Sequence, residues 1–200
     1  MRIIFFGDSI TQQGVSKTGY ISLLKNKLAT HTFELIGAGI NGNKVYDLFL
    51  RLEADVISKK PDLVFIYIGV NDVWHKQSSG TGTDYYKFIK FYQAIIDKIK
   101  QAESEIILCT PSVIGENLKE AQEVNEELDQ YADAIRDLAK RNQLHLCDLR
   151  RAFLKFEQEH NPELINAGVL TTDGVHLNTE GNTLVAEMIL PFILNPYKKE

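Results

Sequence analysis

Five short apolar runs constrain this chain more than any other feature: "RIIFFG" (2–7), "TFELIGA" (32–38), "DLVFIYIG" (62–69), "SEIILCTP" (104–111) and "LHLCDL" (144–149). They are rich in Ile, Leu, Val and Phe with little polar alternation, as in strands covered on both faces. The intervals carry helical periodicity: "GYISLLKNKLA", "KVYDLFLRLEADVISKK", "DYYKFIKFYQAIIDKIKQA" and "EVNEELDQYADAIRDLAKRN". Strand and helix alternate, which predicts a parallel sheet with helices on both faces and right-handed crossovers. Two more helices, "LRRAFLKFEQEH" and "TEGNTLVAEMILPFIL", follow the last strand, and Pro191 in the second predicts a kink or an early end there. The expected architecture is α/β, a three-layer α/β/α arrangement around a five-stranded parallel sheet in the order 2-1-3-4-5. Its ligand crevice would lie at the carboxyl ends of strands 1 and 3, where the order reverses.

Composition narrows the function classes. With 200 residues, 44% hydrophobic and 24% charged, and no linker or repeat, the chain reads as one domain spanning residues 1–200. The net charge of -5 is mildly acidic and the lysines are dispersed, so nucleic acid is not an expected partner. No apolar run approaches the ~20 residues of a membrane span. The chain as given opens directly into strand-forming residues, which predicts a cytoplasmic protein unless a removed leader preceded it. Cys109 and Cys147 lie inside apolar runs and read as buried, reduced thiols. Cys-His metal spacing is absent, and neither a metal nor an organic cofactor is expected.

The strand ends carry the chemistry. After strand 1, "GDS" presents Ser9, either as a helix cap or as a nucleophile. After strand 2, "GAGINGN" offers backbone amides that can face an anion. After strand 3, "GVNDVW" places Asn71 at the mouth of the same crevice. Near the carboxyl end, "TTDGVHLN" sets Asp173 three residues before His176. A serine hydroxyl needs a base to take its proton, and a carboxylate fixes the tautomer of that base and steadies its imidazolium form. Charge developing on the substrate oxygen needs fixed donors. Every part required for acyl transfer is present.

"FGDSIT", "GINGN", "GVND" and "DGVH" occur in the order and at the strand ends of the GDSL-type esterases and lipases, or SGNH hydrolases, which the chain resembles from Phe6 to His176. The resemblance implies a flavodoxin-like fold, Ser9 as nucleophile, and His176 with Asp173 as base and orienter. It implies an oxyanion hole made of the N–H groups of Ser9 and Gly42 and the side chain of Asn71. Gly39 competes with Gly42 for that role, and Asn43 stands where an aspartate often follows the oxyanion glycine. "GDSI" for "GDSL" is a volume-conserving swap.

The other candidates receive plainer readings. Asp8 reads as a loop brace, Asp72 as a tie within its own loop, and His75 as a surface or pocket-wall residue. His31, His145 and His160 receive no catalytic role. Trp74, Val113 and Ile114 are candidates for shaping the substrate site, and "HKQSSGTGTD" (75–84) reads as the one mobile stretch. The expected activity is hydrolysis of small carboxylic esters, short-chain and acetyl-like, through an acyl-enzyme. A lysophospholipase, thioesterase or acyltransferase is the rival within the class. A phosphate- or flavin-binding module is the rival outside it, and such a module has no need of the Asp173–His176 pair. Oligomeric state is not specified by any of these features.

Overall fold

A computed structural model describes residues 1–194. The five expected strands form one parallel sheet: β1 (Arg2–Gly7), β2 (Glu34–Gly39), β3 (Leu63–Tyr67), β4 (Glu105–Cys109) and β5 (His145–Cys147), in the order β2-β1-β3-β4-β5. β3 is buried at every position, as its unbroken apolar run requires. Phe5 of β1 stacks on Phe65 of β3 at 5.1 Å between ring centres, so the two central strands are locked face to face as well as edge to edge.

Among the described residues eight α-helices surround the sheet: α1 (Ser9–Gln13), α2 (Tyr20–Lys27), α3 (Val45–Asp55), α4 (Val70–Ser78), α5 (Tyr85–Gln101), α6 (Gln122–Asn142), α7 (Leu149–His160) and α8 (Thr179–Leu194). α3, α5 and α6 pack side by side in one layer, and α2, α7 and α8 form the other. Aspartates start three of them. Asp8 accepts from Ile10 N at 3.0 Å, Asp84 from the N–H groups of Tyr86 and Lys87, and Asp148 from Arg151 N at 3.2 Å. Each bond satisfies a first-turn N–H that no helix can pair internally.

Three expectations need correction. α8 runs three residues past Pro191 to Leu194, so the proline ends nothing within the described residues. Two short helices went unforeseen: α1 begins at Ser9 itself, and α4 takes in Asn71, Asp72 and Trp74. Four of the ten residues in the stretch expected to be mobile are helical. They complete α4, and the N–H groups of Ser79 and Thr81 then return to the carbonyl of His75 at 3.3 and 2.9 Å.

Candidate active site

β1 delivers Ser9 at its carboxyl end, where the chain turns at once into α1. The Asp8 carboxylate caps that helix, and Ser9 is only 4% exposed. Burial pushes the Asp8 carboxyl up to about 7, against the pull of the Ile10 N–H, with Asp72 reinforcing the rise. Asp8 therefore braces the turn and is a poor source of fixed negative charge near the serine.

Residues 171–177 form a turn closed by an antiparallel bridge between Thr171 and Leu177, just before α8. Within it, Asp173 Oδ1 accepts from the N–H groups of Val175 (3.0 Å) and His176 (2.8 Å), while Oδ2 pairs with His176 Nδ1 at 2.7 Å. The other ring nitrogen, Nε2, lies 3.0 Å from Ser9 Oγ. With Asp173 accepting at Nδ1–H, Nε2 is left as the acceptor for the serine proton. Partial burial acts to raise the Asp173 carboxyl, but the bonds from His176 and Val175 outweigh it and hold the group below its ordinary range.

A single buried carboxylate carries this turn. Glu116, 1% exposed, accepts from Val169 N (2.8 Å), Leu170 N (2.5 Å), Thr171 N (2.6 Å) and Thr171 Oγ1 (2.9 Å). Gly115 N adds a bond to Gly174 O at 2.8 Å. The loop after β4 thus holds the loop bearing Asp173 and His176, a role sequence reasoning missed.

The oxyanion candidates separate cleanly. Gly39 closes β2 beneath α1, where an added Cβ would lie 2.1 Å from Gln12 N, so its small size serves packing. Gly42 sits in the following turn at φ +74°, a conformation that favours glycine, and among the described residues its N–H has no acceptor. Ser9 N–H likewise has none. Asn71 lies in the first turn of α4, 3% exposed, and donates one amide hydrogen to Asn43 O at 3.1 Å, leaving its second free. Asp72 departs from its expected role. Its carboxylate reaches out of the first turn of α4 to accept from Val45 N at 3.1 and 3.3 Å, joining the starts of α3 and α4, and burial raises it to about 7.

Beside the Asp173 turn opens a cleft of about 340 Å³. Trp74, Ile114 and Val175 supply apolar walls, and Glu120 and Asn166 a polar rim. Val113, expected here, is instead fully buried and does not line the cleft. His75 walls the Gly42 turn, and burial, helped by Lys44, lowers its imidazole from the ordinary range. His31, His145 and His160 pack against Phe33, Phe192 and Phe156. Among the described residues no group of three or more His, Cys, Asp or Glu is placed to hold a metal ion.

The family model for the GDSL-like lipase/acylhydrolase family matches residues 5–184. An acetylxylan esterase of Geobacillus stearothermophilus is 30% identical over 94% of this chain and 92% of its own length. The crystal structure of an acetyl xylan esterase, AlAXEase, is 50% identical and superposes with a TM-score of 0.94 over 96% of this chain and 100% of that one. The structure of Axe2, an acetylxylan esterase from Geobacillus stearothermophilus, is 26% identical with a TM-score of 0.83 over 96% and 93% of the two chains. Variants of Axe2 at one serine, one aspartate and one histidine are described as catalytic mutants.

Proposed function

Because the chain belongs to the GDSL-like lipase/acylhydrolase family, whose members hydrolyse carboxylic esters, we propose that it removes acetyl groups from acetylated xylo-oligosaccharides through an acetyl-enzyme on Ser9. The observation that carries this reading is the bonded chain from Ser9 Oγ to His176 Nε2 (3.0 Å) and from Nδ1 to Asp173 (2.7 Å).

In this reading Ser9 Oγ attacks the ester carbonyl carbon while His176 Nε2 takes the hydroxyl proton. The carbonyl π pair moves onto oxygen, where the N–H groups of Ser9 and Gly42 and the free amide hydrogen of Asn71 receive the charge. Collapse of the tetrahedral intermediate breaks the bond to the sugar oxygen, which leaves with the proton from His176. Water, deprotonated by the same imidazole, attacks the acetyl-enzyme and releases acetate and Ser9. Asp173, held ionised, orients the ring and balances its positive charge. The sugar preference is supported by the likeness to two acetylxylan esterases and by a cleft that sets an indole beside a carboxylate and a carboxamide.

A hydrolysis series of p-nitrophenyl esters with lengthening acyl chains, run beside acetylated xylo-oligosaccharides, tests the proposal. The expected result is highest kcat/KM for acetyl, release of acetate from the oligosaccharide, and loss of both in Ser9→Ala. An alkylphosphonate should add once, at Ser9, by intact mass. A preference for long acyl chains would overturn the substrate class, and an active Ser9→Ala would overturn the mechanism.

A further inference from the structure

Arg51 stands apart from the triad, yet its guanidinium touches the segments that carry Ser9 and Gly42 and, through Asn43, is one residue removed from Asn71. It projects from α3, only 14% exposed, with its ring-facing carbon 4.5 Å from the centre of Phe6. One terminal nitrogen donates to Gly7 O at 2.6 Å, two residues before Ser9. Both terminal nitrogens reach Ala38 O at 3.1 Å, at the end of β2. Nε donates to Asn43 Oδ1 at 2.7 Å. Asn43 follows Gly42 in the chain, and its carbonyl is the one that anchors the Asn71 amide. An ion pair to Asp55 at 2.6 Å lies on the outer side of the fork, away from the three loop acceptors.

We infer that Arg51 is the positioning residue of the oxyanion hole, holding the β1 end, the β2 end and the Asn43 turn at one spacing. The inference rests on the acyl-enzyme reading given above. The three donors come from separate segments, whose backbone ladders end at Gly7, Gly39 and Tyr67, before any of the donors is reached. A planar group with five N–H donors can bridge such loops where an ammonium, a single point of charge, cannot. The position of Asn43 fits the same account: its side chain is the acceptor for Nε, a task either an amide or a carboxylate oxygen can perform.

The test uses Arg51→Met and Arg51→Lys with p-nitrophenyl acetate and an alkylphosphonate. Both variants should lose about 10- to 100-fold in kcat with KM changed less than about twofold, because misplaced donors are felt only when the oxygen is charged. The rate of phosphonate labelling at Ser9 should fall in parallel. Asp55→Asn, which loosens only the outer ion pair, should keep kcat near that of the parent, separating positioning from general stability. Should Arg51→Met fail to fold, the Asn43 pair decides: Asn43→Leu should lower kcat more than Asn43→Asp, which keeps an acceptor for Nε. A folded Arg51→Met with unchanged kcat, or with only a raised KM, overturns the inference, as does an equal effect of the two Asn43 changes. Ser9→Ala, measured alongside, reports on the acyl-enzyme reading independently.

Discussion

Asn71 illustrates how much one side chain can be asked to do. One amide hydrogen is committed to Asn43 O, which fixes the rotamer, and the other is free for an oxygen that is fully charged only in the tetrahedral state. A donor of that kind binds the transition state better than the substrate. Asn71→Ala should therefore lower kcat by about 100- to 1,000-fold with KM almost unchanged, while two backbone donors keep the enzyme measurable. Steady-state kinetics on p-nitrophenyl acetate checks this, and a raised KM at normal kcat would move Asn71 to ground-state binding. The dyad makes a separate prediction. In the proposed mechanism Nε2 of His176 must be free of a proton to receive the one from Ser9, so kcat/KM should rise with pH on the acid side. Asp173 is held below the ordinary carboxylate range, so it stays ionised throughout that rise and contributes no second step. The acid limb of log kcat/KM should have a slope of one. A slope of two would bring in another titrating group, and Asp8, raised to about 7 by burial, would be the first suspect.

Among the elements, α8 carries an avoidable cost. Pro191 sits inside the helix, where it has no N–H for the carbonyl four residues back and its ring crowds that turn. Pro191→Ala should stabilise the fold by about 1–3 kcal/mol, a rise of several degrees in thermal midpoint for a chain of this size. A lower midpoint would show that the helix uses the proline. The same element shows where sequence reasoning reaches its limit, since a proline forbids one hydrogen bond but packing against α2 can keep the helix going beyond it. The strands were legible because burial on both faces leaves unbroken apolar runs. α1 was not, because five residues are too few to display a period. α4 was hidden for a different reason: Asn71 and Asp72 occupy buried helix positions for their hydrogen bonds, which erases the apolar stripe. Ser9 could be read as a candidate because it follows a strand end, and Asp173 and His176 because they stand three residues apart ahead of the last helix. Glu116 could not, since its partners lie 53 to 55 positions away, and Arg51 could not because its i,i+4 pairing with Asp55 reads as an ordinary helix ion pair while its Gly7 partner lies 44 positions away.

At the scale of the whole molecule, the site is assembled from opposite ends of the sequence. Ser9 and His176 are 167 positions apart, and the intervening chain builds four of the five strands, most of both helix layers and the Glu116 support. The bridge that brings the ends together is α8 lying on α2, clasped by Asn182 Oδ1 accepting from Tyr20 N at 2.9 Å. This arrangement has a consequence for the order of events during synthesis. A polypeptide still emerging from the ribosome possesses its serine, its oxyanion donors and most of its sheet long before it possesses a base. On the proposed mechanism such a chain lacks the group that takes the serine proton and should stay inert. Hydrolytic competence then waits until the 171–177 turn has been made and seated beside Ser9.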